Sequence, residues 1–248
     1  MTESEIIGFA ADVGLNLLEN GSETQRVEDT IERIIKHWTN SKAEVTSVLT
    51  GITVSVGTIS KTVSVRTRAI NLNKISEINQ LSRDITENGL SFEDAKERLK
   101  KIQVQNGYSV LLKTIAVGVC CAFFTLIFGG GAMDSINGFL TGIILNLVNT
   151  QMTKHKIPSF LVTLVGGLAV AFSALVINKL KIGSNVDSVI IGSIMPLVPG
   201  MGITNALRDL SYGDYISGSA RFFESLTTAL AVGAGAGGMV QIWRFFVG

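Results

Sequence analysis

The sequence predicts an α+β soluble domain at the N-terminus, followed by an all-α transmembrane bundle of about five helices. Charge is the first observation: residues 1–113 hold 14 of the 21 Lys and Arg and 15 of the 20 Asp and Glu, which leaves 7 and 5 for the other 135 of the 248 residues. Long apolar runs fill that second part, and such runs are typical of lipid-embedded helices. In the first part, apolar residues recur at helical spacing in some segments and at every second position in others, as in strands. We therefore predict a cytoplasmic α+β domain over residues 1–105 and a transmembrane domain over residues 106–248.

Two helices are predicted at the N-terminus. Apolar residues recur every three or four positions over residues 6–17, and Gly21 follows closely enough to end that helix. Ser22 and Gln25 then form a potential capping box for a second helix, whose apolar face covers residues 27–38.

A β-hairpin and two further helices complete the predicted domain. Residues 53–56 and 62–66 alternate between polar and apolar types around a turn near residues 57–60. Helical spacing returns over residues 75–85 and stops near Gly89. Ser91 with Asp94 forms a second potential capping box and predicts the start of another helix.

Five stretches are apolar and long enough to cross the roughly 30 Å of membrane hydrocarbon. They cover about residues 111–128, 134–152, 158–178, 186–204 and 217–246. Lys and Arg near the ends of spans concentrate on the cytoplasmic side of membrane proteins. Here they favour a cytoplasmic N-terminal domain and a C-terminus outside the cell. Lys179 and Lys181 are exceptions, because this orientation places them outside.

The fourth stretch is predicted to be a broken helix. Pro196 and Pro199 each remove a backbone hydrogen bond and clash one turn back, and Gly200 and Gly202 follow them. Backbone groups freed at membrane depth persist only inside protein or beside a wet cavity, as at the substrate sites of many transporters. The alternative is a packing kink without a ligand.

Polar residues within or beside the spans complete the candidate site, because ionisable groups facing lipid are costly. The predicted substrate-binding residues are Pro196, Pro199, Gly200, Asn205, Asp209, Asn149, Arg221 and Glu224. Arg221 and Glu224 are three residues apart and could instead pair along their own helix. Gly233 and Gly237 have the GxxxG spacing of a packing face, either within the bundle or toward a partner subunit, which leaves open a homo-oligomer.

The sequence offers no pattern for a metal, a cofactor or a nucleic acid. Cys120 and Cys121 are adjacent within an apolar run and are read as packing residues. The formal net charge of +1 argues against nucleic-acid binding. We expect no catalytic residue, no metal and no cofactor, and the partners that remain are the lipid bilayer, a small-molecule substrate and other subunits.

Three segments carry a resemblance to a known family: residues 14–30 (GLNLLENGSETQRVEDT), 196–200 (PLVPG) and 204–210 (TNALRDL). They resemble the bacterial threonine/serine exporter family over nearly the whole chain. The resemblance implies export of threonine, serine or a small dicarboxylate such as succinate across the bacterial cytoplasmic membrane, driven by an ion gradient. Because fused members carry a second membrane domain, this chain resembles the split form, whose partner is a second small membrane subunit. The first segment adds a functional motif of Glu23, Arg26, Glu28 and Asp29.

Two other functions remain open at this point. The chain could be a regulatory or scaffolding subunit of a transporter whose path lies in the partner. It could also be a membrane-tethered hydrolase that uses Glu23, Glu28 or Asp29, although His37 is the only histidine in the predicted domain.

Overall fold

The computed structural model describes residues 1–105 and 107–247. The chain divides into two compact units: unit 1 comprises Met1–Asn106 and Ile203–Phe222, and unit 2 comprises Gly107–Gly202 and Phe223–Gly248. The elements, in chain order, are α1 (Glu3–Glu19), α2 (Thr24–Thr39), β1 (Glu44–Val48), β2 (Gly51–Val56), β3 (Ile59–Ser64), α3 (Leu72–Thr86), α4 (Phe92–Val104), α5 (Val110–Ile127), α6 (Ala132–Lys154), α7 (Ser159–Lys179), α8 (Val186–Ile194), a 3₁₀ turn (Met195–Leu197), α9 (Gly200–Ser211) and α10 (Tyr215–Val247).

The predicted fold class, an α+β soluble domain followed by a bundle of about five helices, is wrong. The described chain is mainly helical with one small sheet, and unit 1 takes in Ile203–Phe222 from the later part of the sequence. Among the described residues, three helices (α5, α7 and α10) are long and apolar enough to cross a membrane. The count rises to four if α8 and α9 are one bent span. The predicted second span corresponds to α6, a helix of 23 residues, but polar residues such as Asn137 and Asn146 reduce its hydropathy.

The core of unit 1 forms where the apolar faces of α1 and α2 meet the other elements. Thr2 and Glu5 cap α1 reciprocally, since the Thr2 backbone N–H donates to Glu5 Oε2 at 2.7 Å and the Glu5 N–H to Thr2 Oγ1 at 3.3 Å. Deeper in the unit, Trp38 packs edge-on against Phe9 and Phe92, with ring centroids 5.6 and 5.2 Å apart. The helices predicted at 6–17 and 27–38 are confirmed.

One of the two predicted capping boxes is present only in part and the other is absent. Ser91 Oγ accepts a hydrogen bond from the Asp94 backbone N–H at 3.2 Å, which confirms the start of α4. At α2, however, the N-cap residue is Glu23 and it makes no side-chain capping bond. The prediction of a Ser22 and Gln25 box is therefore wrong.

The sheet of unit 1 is antiparallel with the strand order β1-β2-β3. Val54 of β2 pairs with Lys61 of β3, which confirms the predicted hairpin. The additional strand β1 pairs Val45 with Val54. Sequence periodicity missed β1 because its buried position is polar Ser47 rather than an apolar residue.

In unit 2, a tight turn and a row of small residues allow α5 and α6 to pack closely. Gly129 has a φ of 87°, a left-handed conformation that favours glycine, and it lies in the turn between the two helices. A Cβ added at Gly142 would lie 2.8 Å from Cys121 Sγ, and one at Gly138 would lie 2.4 Å from Thr125 Oγ1. Glycine at both positions therefore sets the close approach of the helices.

The predicted break in the fourth apolar stretch is confirmed. Helix α8 ends at Ile194, the 3₁₀ turn follows, and α9 begins at Gly200 with a bend of 52° between the two helices. Val198 is extended, with φ −69° and ψ 127°. A residue before proline is pushed out of the α region, so Pro199 accounts for this conformation.

Close packing between α7 and α10 within unit 2 uses a different glycine from those predicted. A Cβ at Gly235 would lie 2.2 Å from the Leu164 carbonyl oxygen, whereas one at Gly233 or Gly237 would meet nothing within 4 Å. The GxxxG pair thus stays exposed, and its predicted role in packing against another subunit stays a prediction.

Candidate functional site

A polar cluster in unit 1, here called the junction, joins residues 21–24 to residues 205–221. All four residues of the first segment are contacted by side chains of the second. The contacts are Asn205 to Gly21, Arg221 to Ser22, Arg208 to Glu23 and Asp209 to Thr24. Thr24 and Asp209 are 185 positions apart in the sequence, so the junction is a long-range feature of the fold.

Two of the contacts satisfy backbone carbonyl groups where α1 gives way to α2. Gly21 has a φ of 92°, which ends α1 and leaves its carbonyl outside the helix. Asn205 Nδ2 donates to that carbonyl at 2.9 Å, and Arg221 Nη2 donates to the Ser22 carbonyl at 2.7 Å. Because buried carbonyl groups need partners, these two side chains fix the course of the loop.

A buried ion pair lies beside these carbonyls. Arg221 Nε is 2.9 Å from Asp209 Oδ2, and the side chains are 8% and 0% exposed. Burial of charges is tolerated when they are paired and hydrogen-bonded, as both are here.

The hydroxyl group of Thr24 lies between two carboxylates. Thr24 Oγ1 is 2.8 Å from Asp214 Oδ2 and 3.1 Å from Asp209 Oδ1. A hydroxyl has a single proton to donate, so the two carboxylates share one donor. The buried Oγ atoms of Ser22 and Ser217 have no hydrogen-bond partner in the described structure.

Asp214 also caps the start of α10, because its Oδ1 accepts from the Ser217 backbone N–H at 3.0 Å. Burial acts to raise the pKa of Asp214, but hydrogen bonding from Ser217 and Thr24 outweighs it. The pKa of Asp214 therefore lies below its ordinary value.

The remaining acids of the predicted N-terminal motif have different surroundings. Glu23 forms an ion pair with Arg208. Glu28 Oε1 accepts from the Ser47 backbone N–H at 2.7 Å, which ties α2 to β1. Burial raises the pKa of Glu28, and the charge of Asp214 adds to the increase. Arg26 and Asp29 are exposed and line a cavity of about 340 Å³ together with Glu23.

Unit 2 contains a second candidate, at the helix break. Asn149 Oδ1 is buried and has no hydrogen-bond partner in the described structure. A Cβ added at Gly166 would lie 3.1 Å from this atom and 3.2 Å from Leu197 Cδ1, so Gly166 is near both the amide oxygen and the Leu197 side chain. A buried acceptor without a donor is rare and calls for an explanation, such as a ligand or a water molecule.

The structure thus divides the predicted substrate-binding residues into two groups. Asn205, Asp209 and Arg221 lie in the junction of unit 1, where protein groups already occupy them. The others belong to unit 2: Asn149, Pro196, Pro199, Gly200 and Glu224. Glu224 is exposed, and its carbonyl accepts from Thr227 and Thr228. Arg221 pairs with Asp209, and the suggested pairing of Arg221 with Glu224 stays a prediction.

Sequence reasoning missed Thr24 and Asp214, which complete the junction. Asp214 follows Gly213 directly before α10, and an Asp after a helix-ending glycine is a recognisable N-cap signal. Thr24 carries no such signal, since its role depends on carboxylates almost 190 residues away in the sequence.

Comparison with known proteins identifies the relatives of the chain. The family model described as "Putative threonine/serine exporter" matches residues 8–243. The "Threonine/serine exporter" of Corynebacterium glutamicum is 25% identical over 177 residues, which cover 69% of this chain and 36% of that protein. The "Probable succinate transporter subunit YjjP" of Escherichia coli (strain K12) is 23% identical over 237 residues, covering 93% of this chain and 91% of that protein.

"Pheromone-regulated membrane protein 10" of Eremothecium gossypii is 24% identical over 173 residues, covering 68% of this chain and 23% of that protein. The chain therefore spans about a third of the Corynebacterium protein but nearly all of the Escherichia subunit. No solved structure matches the chain.

Proposed function

Since the chain belongs to the threonine/serine exporter family, as the match over residues 8–243 establishes, we propose that it is a membrane subunit that exports a small amino acid or a small dicarboxylate. Several apolar helices make it a multi-pass membrane protein. Membership in a family of exporters favours transport over catalysis. The substrates in question, threonine, serine and succinate, are those named for its relatives.

The helix break in unit 2 is the observation that carries this proposal. The break leaves Val198 extended between the 3₁₀ turn and α9, and Gly166 lies near both the buried Asn149 Oδ1 and the side chain of Leu197 in that turn. Broken helices of this kind build substrate sites in transporters because their free backbone groups can bind ions and polar ligands. A substrate ammonium or hydroxyl group would supply the donor that Asn149 Oδ1 lacks.

The two proposed substrate classes, hydroxylated amino acids and dicarboxylates, offer different groups to Asn149 Oδ1. Threonine and serine carry donors for Asn149 Oδ1, whereas ionised succinate has only acceptors. An Asn149→Leu substitution should therefore reduce export of the hydroxylated amino acids more than export of succinate. A site that pairs with a substrate donor discriminates strongly against molecules without it.

The proposal is tested by counterflow of labelled threonine, serine and succinate in membrane vesicles. Vesicles from cells that make the chain are compared with vesicles from cells that lack it, and with liposomes that contain the purified chain alone. Counterflow that depends on the chain supports the proposal. Equal counterflow of all three substrates with and without the chain would overturn it.

A second candidate function is that of a regulatory or scaffolding subunit in a two-component transporter. The relative that this chain covers nearly completely is named as a subunit, and we propose a second small membrane protein as the partner. Under this alternative, transport depends on the chain but survives Asn149→Leu for every substrate. Transport by liposomes of the purified chain alone excludes it.

We also propose that unit 1 faces the cytoplasm, because basic residues flank the first apolar helix on that side. Lys42 is exposed in unit 1. In a Cys120→Ala, Cys121→Ala background, Lys42→Cys should react with an impermeant thiol reagent only after the cells are permeabilised. Labelling of Lys42→Cys in intact cells would refute the orientation.

A further inference from the structure

Three oxygen atoms in the junction of unit 1 compete for a single proton. Thr24 Oγ1 lies 2.8 Å from Asp214 Oδ2 and 3.1 Å from Asp209 Oδ1. If the hydroxyl group donates to Asp214, its lone pairs face the carboxylate of Asp209, and the reverse choice brings the same repulsion to Asp214. The Thr24 backbone N–H also points at Asp209 Oδ1, but at 3.4 Å it is a weak donor. One of the two hydroxyl contacts is therefore unfavourable unless a positive charge lies beside it.

Negative charge exceeds positive charge at this point of the junction. Because both carboxylates contact one hydroxyl oxygen, they lie within the roughly 4–6 Å over which like charges oppose each other's ionised form. Arg221 supplies one positive charge, which pairs with Asp209. Among the neighbouring charged groups, Glu23 and Arg208 pair with each other, and Glu28 is a further acid. The two aspartates and one arginine thus leave a negative charge without compensation.

A proton on Asp214 does not remove this excess at neutral pH. Burial opposes the ionisation of Asp214, but hydrogen bonding at the start of α10 and from Thr24 outweighs it, so the pKa of Asp214 lies below its ordinary value. The carboxylate therefore stays ionised, and carboxylate and hydroxyl oxygens suit hard metal cations. Groups of three or more acidic, histidine or cysteine side chains placed to hold a metal are absent from the described residues. A monovalent ion fits this donor set better than a divalent one.

Ser217 provides a second indication of a ligand. It is 1% exposed, and its Oγ has no hydrogen-bond partner of ordinary geometry in the described structure. It lies in the first turn of α10, where its backbone N–H donates to Asp214 Oδ1 at 3.0 Å, and its hydroxyl group is near enough to that carboxylate to lower its pKa. A buried hydroxyl group that faces a carboxylate without completing a hydrogen bond calls for an explanation. Its lone pairs can contact a cation.

We propose that the junction binds one Na⁺ ion, held by Thr24 Oγ1, Ser217 Oγ and the carboxylates of Asp209 and Asp214. The close spacing of these oxygens favours Na⁺ over the larger K⁺. Bound Na⁺ would tie the end of α9 and the start of α10 to the start of α2, since its ligands come from all three segments. The inference goes beyond the proposed export function, because it concerns an ion that stabilises unit 1 and not the substrate.

Unfolding of the purified full-length chain in detergent tests the proposal, in NaCl, KCl or choline chloride of equal concentration at neutral pH. Trp38 packs against the core of unit 1, and its fluorescence reports unfolding in a Trp243→Phe background. A ligand that binds only the folded state raises the unfolding midpoint as its concentration rises. NaCl should therefore raise the midpoint above that in choline chloride in a saturable way, and KCl should do so much less. Equal midpoints in the three salts would overturn the proposal, because a water molecule in the site would give that result.

Two variants test whether the response to Na⁺ comes from this site. Asp214→Asn removes one negative charge but keeps an oxygen that can cap α10. It should weaken the apparent affinity for Na⁺ by about tenfold or more, since even the outer partners of metal sites contribute about 10–100-fold. Ser217→Ala removes only the hydroxyl group, so its midpoint in choline chloride should stay near that of the parent while its response to Na⁺ weakens.

Asp94→Asn is the matched control, because Asp94 is an exposed aspartate in the same unit. It should keep the full response to Na⁺. A response of the same size in the parent, Asp214→Asn and Ser217→Ala would place the ion elsewhere and overturn the proposal.

Binding of radioactive sodium to the purified chain provides a readout that does not depend on stability. The folded parent should bind a single ion that unlabelled Na⁺ displaces more readily than K⁺, and Asp214→Asn should bind little. A folded parent that binds no sodium would refute the site. Neither measurement involves transport, so failure of this inference leaves the export proposal intact, and a failure of counterflow leaves the ion site intact.

Discussion

Arg221 and Asp209 form an ion pair inside unit 1, with Nε 2.9 Å from Oδ2 and almost no exposure of either side chain. Arg221 also donates to the Ser22 carbonyl, and Asp209 also accepts from Thr24. The pair therefore links the start of α10 and the end of α9 to the loop before α2. Both residues were predicted to bind substrate, but each is occupied by the protein itself.

Removal of one partner of this pair should destabilise unit 1 strongly. Arg221→Met leaves Asp209 buried without its cation, and such a loss costs about 3–5 kcal/mol of unfolding free energy. The Asp209→Leu, Arg221→Met double variant should recover much of this loss, because no unpaired charge remains. Fluorescence of Trp38, which packs in the core of unit 1, reports unfolding in a Trp243→Phe background. A double variant whose loss equals the sum of the single losses would show that the residues do not couple.

The junction could be predicted from the sequence only in pieces. Residues 14–30 and 204–210 both stood out, but no local pattern shows that Asn205 contacts Gly21 across 184 residues. For the same reason the sequence assigned Ile203–Phe222 to the membrane domain rather than to unit 1. Ser22 has the residue type of a helix cap, yet tertiary contacts use its carbonyl instead.

Features with local causes were predicted well. Pro196 and Pro199 predicted the break before α9, and alternating residues predicted the β2 and β3 hairpin, because prolines and strand periodicity act through neighbouring residues. The span count was less accurate, since the hydropathy of α6 depends on polar residues that pack inside unit 2. Asn146 is one of these, and its Nδ2 donates to Thr114 Oγ1 at 2.7 Å. The boundary at residue 105 and the substrate-binding roles stay predictions.

The hydroxyl group of Thr24 should matter more than its methyl group. Thr24→Val keeps the shape but removes the donor shared by Asp209 and Asp214, and a buried group left unsatisfied costs about 1–3 kcal/mol. We expect a lower unfolding midpoint for Thr24→Val in the same Trp38 fluorescence assay. Thr24→Ser is the control and should stay near the parent, because it keeps the hydroxyl group. Equal stability of the Val and Ser variants would contradict the role of the hydroxyl.

Glu28 should make the stability of unit 1 depend on pH. Burial and the charge of Asp214 raise its pKa above the ordinary value of 4.5, with Glu32 and Asp29 adding to the effect and the Ser47 N–H opposing it. The folded state then binds more protons than the unfolded state between the two pKa values. The free energy of unfolding therefore falls as pH rises through that window.

Glu28→Gln removes this titration and keeps an oxygen that can accept from Ser47. The variant should be more stable than the parent above the window, and its stability should change less with pH. Unfolding midpoints between pH 4 and pH 8, about the range in which carboxylates with raised pKa values titrate, provide the measurement. Glu87→Gln, at an exposed position that does not contribute to the raised pKa of Glu28, should leave the pH dependence in place. A parent curve that rises through the window would refute the assignment.

The two prolines at the break should differ in their importance for export. Pro196 lies within the 3₁₀ turn at its first positions, where a missing N–H costs little. Pro199 forces Val198 out of the helical region and so maintains the interruption before Gly200. Pro199→Ala should allow the backbone to continue toward a regular helix, which removes the interruption that the proposed substrate site requires. We therefore expect Pro199→Ala to lower export strongly at normal protein abundance, while Pro196→Ala, its matched control, lowers it less.

Export is measured as counterflow in vesicles, with abundance determined in the same membranes. Parental export by Pro199→Ala, or by the variant with both prolines replaced, would mean that the break is a packing feature and that the substrate path lies elsewhere.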